Sequence, residues 1–202
     1  MAGQLGLYTC ETCPTDCSVQ QAPDFSINNC VDAIELFLSE ISSIYFTGVD
    51  EEDCTEPIAK PTDWTSASDW TDVLDNEADD KIRFINVIGD MPEPEQQETI
   101  LSGGRKKIGN KTYTINGDLD EFNATNYTAM RKLQCGFTGF FWFQTRGGKL
   151  FGGPKGFKAI VTKAFSPHER GENVYQKISI QIQWESKCAP DMIASRIVSG
   201  TC

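Results

Sequence analysis

The residues best suited to special chemistry are thiols. Cys10-Glu-Thr-Cys13-Pro-Thr-Asp-Cys17 and then Cys30 place four of the chain's eight cysteines in a short N-terminal stretch. A tetrahedral zinc site takes four soft ligands, and a Cys-x-x-Cys pair is often one half of it. The other half is usually a second close pair, which Cys17 and Cys30 do not make. Three readings of Cys10, Cys13, Cys17 and Cys30 therefore stand side by side: a zinc site, a disulfide within the arm, and thiols packed unpaired against neighbours. The last is the default, so no metal site is assigned. Met1-Ala-Gly-Gln-Leu-Gly-Leu7 lacks a basic region followed by an apolar run, so no secretory signal is expected. A chain kept in a reducing cytosol favours free thiols or metal ligands over disulfides. It also leaves the sequons at Asn110, Asn123 and Asn126 without a role.

Other chemistry is thin. His168 is the single histidine, set in Ser166-Pro-His-Glu-Arg-Gly-Glu172, and reads as a solvated loop side chain. One histidine gives neither a two-His metal site nor an evident triad. The carboxylates cluster in acidic loops. Gly147-Gly148 and Gly152-Gly153 join strands instead of opening a helix, so they do not match a phosphate loop. No catalytic residue and no cofactor site are assigned, and the chain is read as a non-enzyme.

The elements that would hold these groups are mostly strands. In Val174 to Trp184, Val174, Gln176, Ile178, Ile180, Ile182 and Trp184 alternate with Tyr175, Lys177, Ser179, Gln181 and Gln183, as in a strand with one buried and one wet side. Ile41-Ser-Ser-Ile-Tyr-Phe46, Lys81 to Ile88, Gln97 to Leu101, Arg105 to Leu119, Thr138 to Thr145, Leu150 onward and Phe157 to Phe165 read as further strands. Arg146-Gly-Gly-Lys149 reads as a primed hairpin turn. Asn123 to Gln134 is the convincing helix, capped by Asn123 or Thr125, with a Tyr127, Met130, Leu133 stripe and a stop at Gly136. A shorter helix over 68–76 would lie inside an acidic, loop-like segment.

At 202 residues the chain can bury a sizeable core. The organisation expected is a Cys-containing arm over 1–30, then one β-sandwich domain over 31–202 with an acidic insertion at about 49–80. The fold class is mainly β: a sandwich or barrel with one flanking helix, long loops and an extended N-terminal arm. No apolar run suits a membrane helix. A net charge of −11 argues against wrapping nucleic acid through phosphate contacts, which need Lys and Arg on one face. It suits a surface past which DNA slides, and it also keeps a protein soluble.

Three stretches resemble the tail tube proteins of bacteriophages, especially those of phages of gut Bacteroidetes. They are Cys30 followed by Ile41 to Asp50; Pro94 to Lys107 with the strand beyond; and Asn126 to Gly136, then Phe141-Trp-Phe143 and Gly147 to Gly153. The Cys-bearing arm and the 49–80 segment depart from that pattern. The resemblance implies a virion structural protein, assembled in the host bacterial cytoplasm as a homo-oligomer. Its hexameric rings would stack into a tube, meet other phage tail proteins and pass DNA through an acidic lumen without specific binding. Loops such as 50–70 and 102–110 would reach a neighbouring ring.

Two other readings compete. One is a monomeric β-sandwich that binds carbohydrate or peptide on an aromatic platform of Trp64, Trp70, Phe141, Trp142 and Phe143. The other is a small metal-dependent enzyme built on the Cys arm. The polar face of the last long strand, Tyr175 to Gln183, would line a lumen or a subunit contact. A closed core or a small-molecule pocket around those side chains would contradict that expectation.

Overall fold

The structure is a computed structural model that describes residues 40–50, 52–100, 102, 104, 106–119, 123–133, 135–163, 178–194 and 197, with backbone alone at 97, 99, 100, 106–108 and 163. In chain order the elements are β1 (Ile41–Thr47), α1 (Ala67–Val73), β2 (Arg83–Gly89), β3 (Glu95–Ile100), β4 (Lys106–Leu119), α2 (Ala124–Leu133), β5 (Thr138–Thr145), β6 (Lys149–Phe151), β7 (Phe157–Lys163), β8 (Ser179–Ser186) and β9 (Met192–Ala194). Six strands run β1-β2-β4-β8-β7-β5, and β5 pairs back onto β1. The result is a closed antiparallel barrel, so the choice between sandwich and barrel resolves as barrel. The remaining strands are additions: β3 on β4, β6 on β5 and β9 on β6.

Side-chain alternation fills the barrel. Tyr113, Ile115 and Leu119 of β4, Phe141 and Phe143 of β5, Ala159 and Val161 of β7, and Ile180, Ile182 and Trp184 of β8 form one buried cluster with Ile178. The tryptophan stacks on Tyr113, with ring centroids 5.1 Å apart, and meets Phe157 at 4.2 Å. A six-strand barrel has room inside only for such side chains. α2 lays Met130, fully buried, and Leu133 against this core. Its start is fixed by Asn123, whose Oδ1 accepts from the Asn126 amide at 2.8 Å, as a capping asparagine does. Gly136, at φ 93°, lies just past its end.

β1 carries an irregularity that the strand pattern hides. Its register shifts between Ile41 and Ser43 against both β2 and β5. The extra residue places Ile41 and Ile44 both in the interior, where strict alternation would have sent Ser43 inward. Tyr45 then points outward, onto a second core. There Tyr45, Phe140, Trp142 and Leu150 meet Ala59, Trp70 and Ile82. The insertion is thus a layer folded over the outside of β1 and β5, not a loop extended toward a neighbour. Trp70 is 1% exposed and meets Trp142 edge-to-face at 5.5 Å.

Several expectations need correction. The described residues hold two helices, the flanking α2 and the expected shorter one, α1, which spans Ala67–Val73 rather than 68–76. The Arg146–Lys149 turn has only Gly148 at positive φ, 71°, so it is not a primed two-residue turn. Three residues connect β5 to β6 with the last one left-handed, the next commonest hairpin geometry. β9 has no counterpart among the expected strands.

Candidate functional site

Cys10, Cys13, Cys17, Cys30 and His168 lie outside the described residues, so neither the zinc nor the arm-disulfide reading is addressed by the geometry. Cys54 and Cys135 are free and exposed. Cys188 is disulfide-bonded, to a partner outside the described residues, which departs from the expectation of free thiols. Among the described residues no group of three or more His, Cys, Asp or Glu is placed to hold a metal ion.

The carboxylates of the insertion act as turn acceptors. Asp53 Oδ1 accepts from Thr55 Oγ1 at 2.6 Å and from the Thr55 amide at 2.9 Å. Asp63 repeats this with Thr65, and Asp69 accepts from the Asp63 amide and Ser66 Oγ. Hydrogen bonds to the ionised form hold all three below the usual carboxylate range: chiefly the Thr55 hydroxyl for Asp53, the Thr65 hydroxyl for Asp63 and the Asp63 amide for Asp69. Glu56 is lowered by Lys155 and then Lys60, its ion-pair partners. Lys155 belongs to the loop after β6, and Lys158 Nζ donates to the Cys54 carbonyl, so polar contacts fasten the layer's rim to the barrel. Burial pushes the Tyr45 phenol up to about 12.

The aromatic platform does not exist as a surface. Trp70, Phe141, Trp142 and Phe143 are each at most 1% exposed, and Trp64 is half-buried against the second core. Side-chain alternation splits the aromatic strand, with Phe141 and Phe143 in the barrel and Phe140 and Trp142 outside it. The glycine loop that follows is a clasp for Trp142. The indole Nε1 donates to the Gly153 carbonyl at 2.8 Å. Gly152 and Gly156, at φ 143° and 77°, come so close that a Cβ on either would sit within 3 Å of the indole. Those glycines serve packing, in keeping with the absence of a phosphate-loop pattern.

The opposite outer wall is uncovered among the described residues. On it Ser179 Oγ donates to Asp118 Oδ1 at 2.6 Å, Gln181 Nε2 to Asn116 Oδ1 at 2.8 Å and Thr162 Oγ1 to Gln181 Oε1 at 2.9 Å. Ile88 and Ile160 flank this ladder at 47% and 43% exposure. The expected faces of the long strand therefore hold over the part described: Ile178, Ile180, Ile182 and Trp184 are buried and Ser179, Gln181 and Gln183 are not. Ser179 and Gln181 border an open groove of about 600 Å³ with Glu40, Asp90 and Asp118. It is a surface trough rimmed by carboxylates, not a closed core. Tyr175 and Lys177 lie outside the described residues.

Two further features remain. A cleft of about 430 Å³ lies where β7 and β8 part, bordered by Phe157, Trp184 and Cys188. Trp184 Nε1 is buried without a hydrogen-bond partner. The other is the β3–β4 hairpin. β8 covers β4 only from Lys111 onward. From Lys106 to Asn110 the long strand has β3 as its only ladder partner among the described residues, and of the side chains described between 95 and 112 none belongs to either core.

No protein-family model matches the chain, and no curated protein is significantly similar to it.

Proposed function

We propose that the chain is a structural protein of a bacteriophage virion, a tail-tube or related tail or connector ring subunit whose stacked hexameric rings conduct DNA. The observation that carries this reading is the wall of β4 and β8, which no described residue covers. Its middle, Thr114, Asn116, Asp118, Ser179, Gln181 and Gln183, contains one carboxylate and no cation. A wall of that kind offers DNA no Lys or Arg to neutralise phosphates, the term that dominates sequence-independent binding. Its side chains hydrogen-bond one another, so they hold a passing polyanion weakly. The barrel behind it is filled by side chains, leaving its interior to stability and its outside to assembly. The resemblance of three stretches within 30–184 to tail tube proteins supplies the class.

The carbohydrate- or peptide-binding alternative loses its main support with the burial of the aromatic platform. The test is location. Genes beside this one should encode tape-measure and portal proteins, and a gold-labelled antibody should decorate the tails of purified particles. Neighbouring genes of sugar uptake, with label confined to cell extract, would overturn the proposal.

A further inference from the structure

We propose that the cleft between β7 and β8 seats this chain's own N-terminal segment, anchored there by a disulfide between Cys30 and Cys188. The contact lies within one subunit and does not depend on the ring-forming reading.

Carried outward, the register that sets Ile160 opposite Gln183 would pair Lys158 with Glu185, but among the described residues the ladder stops at Ile160. The strands part around about 430 Å³ of space, the size of a small ligand site. Phe157 and Trp184 border it. The tryptophan is 4% exposed, and its Nε1 donor has no partner. A buried donor left unpaired is costly, and a main-chain carbonyl of the docked segment supplies its acceptor. The cations on the rim are already engaged, Lys155 with Glu56 and Lys158 with the Cys54 carbonyl, so the cleft does not call for an anion. It suits an extended, largely uncharged stretch of chain laid between two strand edges.

The covalent evidence points the same way. Cys188 borders the cleft and is disulfide-bonded, so its partner cysteine is brought to the cleft. Cys54 and Cys135 are free, which leaves Cys10, Cys13, Cys17, Cys30 and Cys202. Composition selects among them. Cys30 is followed closely by Val31, Ile34, Leu36, Phe37 and Leu38, apolar side chains that an aromatic cleft takes out of water. Cys10, Cys13 and Cys17 stand among Glu, Thr, Pro and Asp. Cys202 ends Val198-Ser-Gly-Thr-Cys202, which has little to bury, and it follows an Ile197 already committed to the second core.

The topology permits the reach. β1 and β7 both pair antiparallel with β5, so both begin at the barrel end where β5 finishes, and β8, antiparallel to β7, ends there too. The chain before Glu40 therefore joins the barrel at the end that holds the cleft. β1, β5, β7 and β8 are consecutive around the barrel, about 15 Å at about 5 Å per strand spacing. The stretch from Cys30 to Glu40 spans about 35 Å when extended. The bond forms by thiol–disulfide exchange: the two sulfurs join, and their two protons and two electrons pass to a small-molecule disulfide such as oxidised glutathione, which leaves as two thiols.

Peptide mapping by mass spectrometry without reductant, on the full-length chain purified in the presence of oxidised glutathione, tests the bond. It should return the Cys30 peptide linked to the Cys188 peptide, from a chain that runs as a monomer on a denaturing, non-reducing gel. A link from Cys188 to any other cysteine, a link between two chains or a free Cys188 thiol would overturn the proposal. Hydrogen exchange tests the docking. Segments 157–159 and 184–188 should be protected in the oxidised parent and lose that protection in Cys30→Ser, while 113–117 on β4 stays unchanged. The chemically reduced parent gives the same comparison should Cys30→Ser fail to fold. Equal exchange at the cleft with the bond closed and open would show that nothing docks there, even with the linked peptides in hand. Neither result bears on whether subunits assemble into rings.

Discussion

The barrel has two outer walls built from one alternating pattern and used in opposite ways. On the β1–β5 wall the outward residues are Tyr45, Phe140 and Trp142, and a folded insertion covers them. On the β4–β8 wall the outward residues at the middle are Thr, Asn, Asp, Ser and Gln, several hydrogen-bonded to one another, and no described residue covers them. Burying aromatic outward residues binds a second layer to the first. Short polar outward residues leave a wall that needs no cover and attracts none. On the function proposed above, the first wall serves stability and the second faces passing DNA.

Truncation should separate the walls most sharply. Trp142→Ala empties the centre of the second core and should cost about 3–5 kcal/mol, read as a lower denaturant midpoint. Gln181→Ala on the open wall should stay within about 0.5 kcal/mol. Equal losses would mean that something covers the open wall as well.

A milder pair compares the two buried indoles. Trp142→Phe removes the donor to the buried Gly153 carbonyl and should cost about 1–3 kcal/mol beyond packing. Trp184→Phe removes a donor that has no partner, so in the reduced chain it should be the cheaper change although both indoles are buried. The reverse order in chemical unfolding would show that Trp184 Nε1 is satisfied in solution.

Acid should act on the covered wall first. Asp53, Glu56, Asp63 and Asp69 all have folded-state values held below their ordinary ones. Such groups stabilise the fold above their unfolded pKa, and that contribution disappears as pH falls through the lowered values. Tryptophan fluorescence should therefore shift only below the ordinary carboxylate values of 3.8 to 4.5, and before the barrel's circular dichroism changes. A single coincident transition would show that layer and barrel unfold as one. The smallest effect concerns the rim: Lys158→Ala, which loses the bond to the Cys54 carbonyl, should lower the midpoint only slightly.

Much of the barrel is legible from residue order. The alternation at Ile178 to Trp184 names the buried face of β8 correctly, and the Asn123 cap and Gly136 stop bracket α2. The second core is not legible because its contributors sit in polar surroundings. Trp64 and Trp70 lie among Asp, Ser and Thr, and only the tertiary approach of Tyr45 and Trp142 buries Trp70. The bulge in β1 is masked because Ile41-Ser-Ser-Ile44 satisfies no simple period. β9 is too short for any pattern: three residues held by pairing with β6. Glycine spacing after β6 reads as strand punctuation, whereas its cause is the bulk of Trp142.

The central claim is that this barrel is a building block. Size-exclusion chromatography with light scattering on the purified full-length chain at high concentration, followed by negative-stain imaging of the same fractions, tests it directly. The account predicts closed rings, or stacks of rings, with a mass that is an integral multiple of the chain and centres on six copies. A species that remains strictly monomeric, with no rings in the images, would contradict it.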